Sequence, residues 1–78
     1  MRYCKMFKRG DIVYCEYNKQ SYVILNISDK IAYVRNLTNF DNRDDYKISI
    51  DKLIEYPNEW RKNDLYDFYK TLAKIILK

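Results

Sequence analysis

The strongest constraint on the fold of this chain is a set of three strand-like runs in its first half. A period-two pattern covers residues 12–17, and runs rich in β-branched and aromatic residues follow at residues 22–27 and 31–37. Polar breaks at residues 18–20 and 28–30 separate the three runs. Such runs are typical of half-buried strands. The first half of the chain therefore predicts three antiparallel strands joined by tight turns.

The second half of the chain predicts two more strands and a helix. Apolar and polar residues alternate again over residues 46–51, and a short fifth strand is predicted around residues 53–56. A C-terminal helix is predicted over about residues 59–77, with Asn58 or Asn63 as its N-cap. An Asn side chain suits that position because it can accept a hydrogen bond from a free backbone N–H of the first turn.

The lengths of the two turns predict how the first three strands pair. A three-residue loop followed by a two-residue turn gives the pairs Val13–Leu25, Cys15–Val23, Leu25–Val34 and Ile27–Ala32. One face of the sheet then carries a core of Val13, Cys15, Val23, Leu25, Ile27, Ala32 and Val34. The opposite face carries Ile12, Tyr14, Tyr22, Ile24, Tyr33, Arg35 and Leu37. This second face is too apolar for bare solvent, so we expect the helix to cover part of it.

The apolar surface of the helix is wider than a sheet requires. Apolar residues cover about 200° of its circumference, whereas packing against a sheet needs a stripe of about 100°. The surplus indicates either deep burial or a second contact, such as the interface of a homodimer. We place this oligomer edge at Tyr66, Ala73 and Leu77.

A segment near the start of the chain resembles a known family. Residues 7–13, Phe-Lys-Arg-Gly-Asp-Ile-Val, resemble the opening strand of SH3-like small barrels, which include KOW-type modules and PemK/MazF-type toxins. The hairpin at residues 22–37, followed by Thr38, is similar to the second and third strands of those toxins. In the toxins an Arg-Pro pair opens the second strand, and its Arg acts with a later hydroxyl in RNA cleavage. Thr38 matches the hydroxyl, but Gln20-Ser21 or Ser21-Tyr22 stands where the family has Arg-Pro, so ribonuclease activity is disfavoured.

These observations predict one domain over residues 1–78 of a mainly β (α+β) class. Its architecture is either an SH3-like barrel or a curled antiparallel meander of four to five strands within about residues 12–56, with one C-terminal α-helix. A domain of this length buries only about 60% of the surface of its unfolded chain, so its core is small.

The composition excludes several kinds of active site. The chain contains no His and one Gly, which excludes a His-centred triad, a His-ligated zinc and a glycine-rich phosphate loop. The acidic segment at residues 41–45 lacks the Gly and the Glu of a calcium-binding EF-hand loop, so we interpret it as a solvated loop. Cys4 and Cys15 are interpreted as reduced thiols that form no essential disulfide. We predict no enzymatic activity, no metal and no cofactor.

The candidate binding residues are aromatic or basic side chains on the strands: Tyr14, Tyr22, Tyr33, Arg35 and Lys47. Tyr and Arg are enriched among the residues that dominate protein–protein binding energies. The same combination can stack nucleic-acid bases and hold phosphates. Alternatively, these rings pack beneath the helix, as half-buried tyrosines often do.

The amino-acid composition indicates the kind of genome that encodes the chain, and this source in turn suggests a function. Phe, Tyr, Met, Ile, Asn and Lys, which have A/T-rich codons, far outnumber Gly, Ala, Arg and Pro. This bias is typical of a low-GC Gram-positive bacterium, its phages or its plasmids. We expect a small, non-enzymatic binding protein of a phage or mobile element that inhibits a host defence or host enzyme complex by occupying a surface of a larger protein.

Two other kinds of partner stay open at this point. The chain is also compatible with a nucleic-acid-binding SH3-like barrel, and with an oligomeric sponge that holds a nucleotide second messenger. No signal peptide and no apolar run long enough to span a membrane occur in the sequence. We therefore expect a cytoplasmic protein of a bacterial host cell without a membrane partner.

Overall fold

The computed structural model describes residues 7–38 and 45–77. These residues form β1 (Ile12–Cys15), β2 (Gln20–Ser28), β3 (Ile31–Asn36), β4 (Asp45–Ser49), β5 (Leu53–Glu55) and α1 (Asp64–Ile76). Two 3-10 turns, Ile50–Lys52 and Asn58–Lys62, connect β4 to β5 and β5 to α1. Neighbouring strands are antiparallel and lie in the order β4-β3-β2-β1-β5. The predicted class is confirmed as an open five-stranded antiparallel sheet with one C-terminal helix, and the sheet does not close into a barrel.

The first turn is longer than predicted, and this changes the pairing of β1 with β2. Cys15 lies opposite Gln20 and Val13 lies opposite Tyr22, so four residues rather than three connect the two strands. Lys19, the last of the four, has a φ of 58° and donates its backbone N–H to the Cys15 carbonyl at 2.8 Å. Left-handed backbone at a Lys is uncommon and has no distinctive sequence signal. The predicted pairs Val13–Leu25 and Cys15–Val23 are therefore wrong.

The second turn is confirmed, but a bulge interrupts the pairing beyond it. Ile27 lies opposite Ala32, as predicted. The register shifts between Ile24 and Asn26, so that Ile24, not Leu25, lies opposite Val34. A bulge inserts one unpaired residue, and one residue is enough to exchange the faces to which the side chains point.

Because of these two changes, Tyr22 and Ile24 lie on the face that was predicted to carry Val23 and Leu25. The buried cluster on that face consists of Val13, Cys15, Tyr22, Ile24, Ala32, Val34 and Leu53. The helix lies on the other face, where the buried cluster consists of Val23, Leu37, Tyr56, Tyr69 and Ala73. Ile24 and Val34 are completely buried, although the helix lies on the other face of the sheet. The sheet therefore curls around the cluster that contains Ile24 and Val34, and Phe7 and Ile50 pack against this cluster.

The helix begins later than predicted and uses one of the two predicted caps. Residues Asn58–Lys62 form a 3-10 turn, and α1 starts at Asp64. The Asn63 side chain accepts a hydrogen bond from the Leu65 N–H at 3.0 Å. No helix within residues 7–38 and 45–77 is long and apolar enough to cross a membrane.

Cys15 is a buried free thiol, whereas Cys4 lies outside the described residues. The predicted acidic loop also lies outside them, except for Asp45 at the start of β4.

Two buried tyrosines predict how stability depends on alkaline pH. Burial raises the pKa of Tyr22, although a hydrogen bond from Asn18 opposes this, and burial also raises the pKa of Tyr56 beside Tyr69. The folded chain therefore keeps protons that the unfolded chain releases near pH 10, the usual tyrosine pKa. Their contribution to stability is complete below about pH 10 and is lost as pH rises through the raised values.

We expect the free energy of unfolding, measured by urea denaturation, to fall between pH 9 and pH 11 by at most about 1.4 kcal/mol per pH unit for each tyrosine. Tyr22→Phe should make this fall shallower, because it removes one of the two titrating groups. Tyr17→Phe is the control, since Tyr17 is 78% exposed. Equal pH slopes for the two variants would contradict the assignment.

Candidate binding surface

The helix covers only part of the sheet face on which it lies. α1 contacts β1, and its buried side chains pack with Ile12 and Tyr14 of β1 and Leu25 of β2. The same face continues past β2 onto β3 and β4. There its side chains alternate with those that point to the opposite face, which carries the cluster with Ile24 and Val34. The uncovered part of this face is the region in which predicted binding residues gather.

Three of the five predicted binding residues lie together on this uncovered part. Tyr33 pairs with Lys47 across β3 and β4, and the Lys47 Nζ lies 5.7 Å from the centre of the Tyr33 ring. Arg35 pairs with Asp45, and the Arg35 Nε and Nη2 each lie 2.9 Å from Asp45 Oδ1. We call Tyr33, Arg35, Asp45 and Lys47 the β3–β4 patch.

The ion pair in this patch positions Arg35 more than it stabilises the fold. Its side chains are 31% and 52% exposed, and exposed ion pairs contribute only about 0–1 kcal/mol. Two atoms of the guanidinium nevertheless contact one carboxylate oxygen, which fixes the position of the planar group. The patch thus presents a fixed guanidinium and, on the same face of the sheet, an aromatic ring with an exposed ammonium group over it.

A second exposed feature is an apolar row on α1. Leu65, Phe68 and Ile75 are 46%, 46% and 64% exposed, and half-buried Leu72 lies between them. Spacings of three and four residues place all four on one side of a helix. We call Leu65, Phe68, Leu72 and Ile75 the helix flank.

The predicted oligomer edge lies on the other side of the helix and is largely covered. Ala73 is 5% exposed and belongs to the buried cluster. The Tyr66 ring stacks on Tyr56 with centres 5.1 Å apart. Leu77 packs against the same cluster and approaches Gly10. Tyr69 and Ala73 face the sheet, so the exposed apolar side chains of α1 lie in the helix flank. The oligomer edge at Tyr66, Ala73 and Leu77 stays a prediction.

The other two predicted binding residues are not part of the patch. Tyr22 was predicted on the same face as Tyr33, but the altered register turns it onto the opposite face, where it is buried against Tyr46 with ring centres 6.1 Å apart. Tyr14 lies on the helix side, edge-on to Trp60 at 5.0 Å. Both rings therefore lie in packed surroundings.

Ser21, which stands at the position of the missing Arg-Pro pair, and Thr38 are joined by a hydrogen bond. The Ser21 backbone N–H donates to the Thr38 hydroxyl at 2.8 Å, beside a cavity of about 310 Å³ that Trp60 and Leu65 also line. In the part of the chain that the structure describes, no three His, Cys, Asp or Glu side chains gather in a way that could hold a metal ion.

Sequence reasoning missed Trp60 and the helix flank. The flank residues recur at helical spacing, which was a usable signal, but their exposure depends on how the helix rotates about its axis. Trp60 lies in the 3-10 turn before the helix, a segment that was predicted as helix. Comparisons with protein-family models, with curated proteins and with solved structures find no match to this chain.

Proposed function

We propose that this chain is a small, non-enzymatic binding protein that occupies a surface of a larger protein through the β3–β4 patch and the helix flank. The observation that carries the proposal is the uncovered part of a sheet face, which carries the Tyr33–Lys47 cation–π pair and the Arg35–Asp45 ion pair, together with an exposed apolar row on α1. The excess of residues with A/T-rich codons supports a phage or mobile element as the source. Inhibition of a host defence or host enzyme complex in the bacterial cytoplasm is the corresponding biological role.

The two surfaces lie side by side because of how the helix is oriented. One side of α1, at Tyr66 and Lys70, shares a cavity with Glu55 and Arg61 near the β5 edge of the sheet. The helix flank is the opposite side of α1, and we propose that it faces the same side as the uncovered part of the sheet. A partner can therefore contact Phe68 and Ile75 together with Tyr33 and the side chains beside it.

The chemistry of the surface defines the partner. Tyr and Arg anchors with an apolar surround are characteristic of the energetic centre of protein interfaces. Asp45 already balances Arg35, whereas Lys47 is exposed. We therefore propose a partner that places a carboxylate near Lys47 and apolar side chains against the helix flank.

We also propose that the fold is of the SH3-like type. The return of β5 to pair with β1, together with the curling of the sheet around Val13, Ile24 and Val34, supports this assignment. The proposal concerns the fold, and the binding function rests on the surface residues.

A double substitution tests the binding surface. Replacing Tyr33 and Arg35 with Ala should weaken partner binding at least 30-fold, because energetic centres of interfaces typically contribute about 2 kcal/mol or more each. The experiment is affinity capture from a low-GC Gram-positive lysate, with and without nuclease, followed by titration of the captured protein. Urea denaturation of the variant should still be cooperative, since both residues are only half-buried.

The matched control replaces Tyr17 and Lys52 with Ala. These two residues form an aromatic–cation pair elsewhere on the surface, in which the Lys52 Nζ lies 5.7 Å from the Tyr17 ring centre. This control should bind as the parent chain does. A folded Tyr33/Arg35 variant that still captures the same protein would refute the proposed surface. Capture that nuclease abolishes would favour a nucleic-acid partner instead.

A further inference from the structure

A second concave region lies on the side of α1 that faces away from the helix flank. It is a cleft of about 520 Å³ between the N-terminal segment, the end of β5 and the helix. Lys70 and Lys74 line it from the helix, Lys8 from the N-terminal segment and Arg61 from the 3-10 turn before α1. We call this region the basic cleft.

Cations outnumber acids in the basic cleft, and both acids have partners there. Asp11 accepts a hydrogen bond from the Lys8 backbone N–H at 3.0 Å. Glu55 lies 3.8 Å from the Arg61 guanidinium, at the long end of an ion pair. Four basic side chains therefore face two acids, and the cleft keeps a positive excess in a chain whose formal net charge is +4.

Two of the cations lie over one aromatic ring of the helix, and a third follows them along the helix. The Arg61 guanidinium carbon lies 5.8 Å from the centre of the Tyr66 ring, near the start of α1, and the Lys70 Nζ lies 5.7 Å from the same centre. Lys74 follows Lys70 by one helical turn, about 6 Å along the axis. At the far end of the helix, Arg9 donates to the Leu77 carbonyl at 3.3 Å.

From the Tyr66 ring, over which Arg61 and Lys70 lie, to Lys74, this row covers about 12 Å of α1. A single phosphate or carboxylate could contact only one or two of these cations at once. A linear polyanion could contact them in succession, with each phosphate near one cation. The spacing therefore favours an extended ligand over a small anion.

An aromatic ring stands in the middle of this row. Tyr66 stacks on Tyr56 at 5.1 Å, and Tyr56 in turn meets Tyr69 edge-on at 6.0 Å. These contacts fix the Tyr66 ring at the wall of the cleft, between two cations. A fixed aromatic ring beside a row of cations is the arrangement by which proteins bind single-stranded nucleic acid without sequence preference.

We infer that the basic cleft binds single-stranded nucleic acid, with phosphates along Arg61, Lys70 and Lys74. A base takes the place of the Lys70 ammonium group over the Tyr66 ring, and this ammonium group moves to a phosphate. This inference is independent of the proposed protein-binding surface, because it uses the opposite side of the helix. Either proposal can fail without affecting the other.

The experiment titrates the full chain against a fluorescently labelled twelve-nucleotide oligo(dT) and the corresponding oligo(U), with anisotropy as the readout, between 50 and 300 mM NaCl. For single strands, each neutralised phosphate contributes a slope of about −0.7 to the plot of log affinity against log salt concentration. Lys70→Gln/Lys74→Gln should therefore make the slope shallower by about 1.4 and weaken binding about 25-fold at 0.1 M salt. Gln is a good helix former, so α1 should persist in this variant.

The matched control is Lys30→Gln/Lys52→Gln, which removes the same charge from exposed positions outside the cleft. It should leave the slope close to that of the parent chain. Tyr66→Leu should weaken binding about tenfold with an unchanged salt slope, because stacking does not depend on counterion release. Circular dichroism melts establish that each variant is folded.

Several results would overturn the inference. Equal effects of the two double substitutions would show that net charge, not the cleft, attracts the oligonucleotide. Displacement of the oligonucleotide by an equal concentration of an oligo-glutamate peptide would show a site for acidic protein segments. Displacement by thymidine monophosphate at a similar concentration would show a site for a single anion. Tighter binding of either oligo(dT) or oligo(U) would support the inference and identify the preferred sugar.

Discussion

A chain that ends at Asn58 is expected to lose cooperative folding. The truncation removes α1 together with most of the turn before it, and with them Tyr69 and Ala73 of the buried cluster. Val23 and Leu37, which are almost completely buried in the intact chain, would then be exposed to water. A domain of this size has a stability of only about 4–12 kcal/mol, and each large apolar side chain that loses its burial costs about 1.5–3 kcal/mol.

Urea denaturation followed by circular dichroism measures this effect directly. The fragment should be insoluble or should show no cooperative transition. Ile75→Ser in the full chain is the control, because Ile75 is 64% exposed and its loss should change the free energy of unfolding by about 0.5 kcal/mol or less. A soluble fragment of residues 1–58 with a cooperative transition would mean that the curled sheet is stable by itself.

The second large effect is expected at the bulge in β2. Ile24 is fully buried on the curled face of the sheet, whereas Leu25 is half-buried at the register shift. Ile24→Ala should lower the free energy of unfolding by about 2–5 kcal/mol, as large truncations in a packed core do. Leu25→Ala should cost less than half as much, because its neighbours bury less of it.

The two substitutions make a matched pair, since the residues are adjacent and similar in volume. Urea midpoints of the two variants, measured under identical conditions, provide the comparison. If Leu25→Ala were the more destabilising change, then Leu25 and not Ile24 would face Val34, which is the register that turn lengths alone predict.

This pair also illustrates what the sequence can predict and what it cannot. Runs of β-branched and aromatic residues, with a period-two pattern in β1 and β4, locate the five strands, because these signals belong to the strand itself. The turn between β2 and β3 and the cap at Asn63 are also readable, since they depend on local residue preferences. The bulge at Leu25 and the left-handed Lys19 are single-residue events with no Gly or Pro to mark them. Together they exchange the faces of Tyr22 and Val23.

The same distinction applies to the candidate binding surface. Tyr33, Arg35 and Lys47 were correctly grouped, because β3 and β4 keep an uninterrupted register. Tyr22 was not, because its face depends on the bulge. The placement of the helix flank requires the rotation of α1 about its own axis, which depends on how side chains from several strands fit against it. Such long-range packing leaves no signal in the sequence of the helix alone.

The position of β1 between β2 and β5 has a consequence for how the chain folds. Val13 lies opposite Tyr22 on one side and Glu55 on the other, so the second pairing closes a loop of about 40 residues. Contacts between β1, β2, β3 and β4 join consecutive hairpins, whereas β5 must return across the whole sheet. Long loops make such pairings entropically costly and slow to form. We therefore expect one edge of β1 to stay unpaired until late in folding. Refolding at high protein concentration should then favour association of chains through this edge over the pairing of β1 with β5 within one chain.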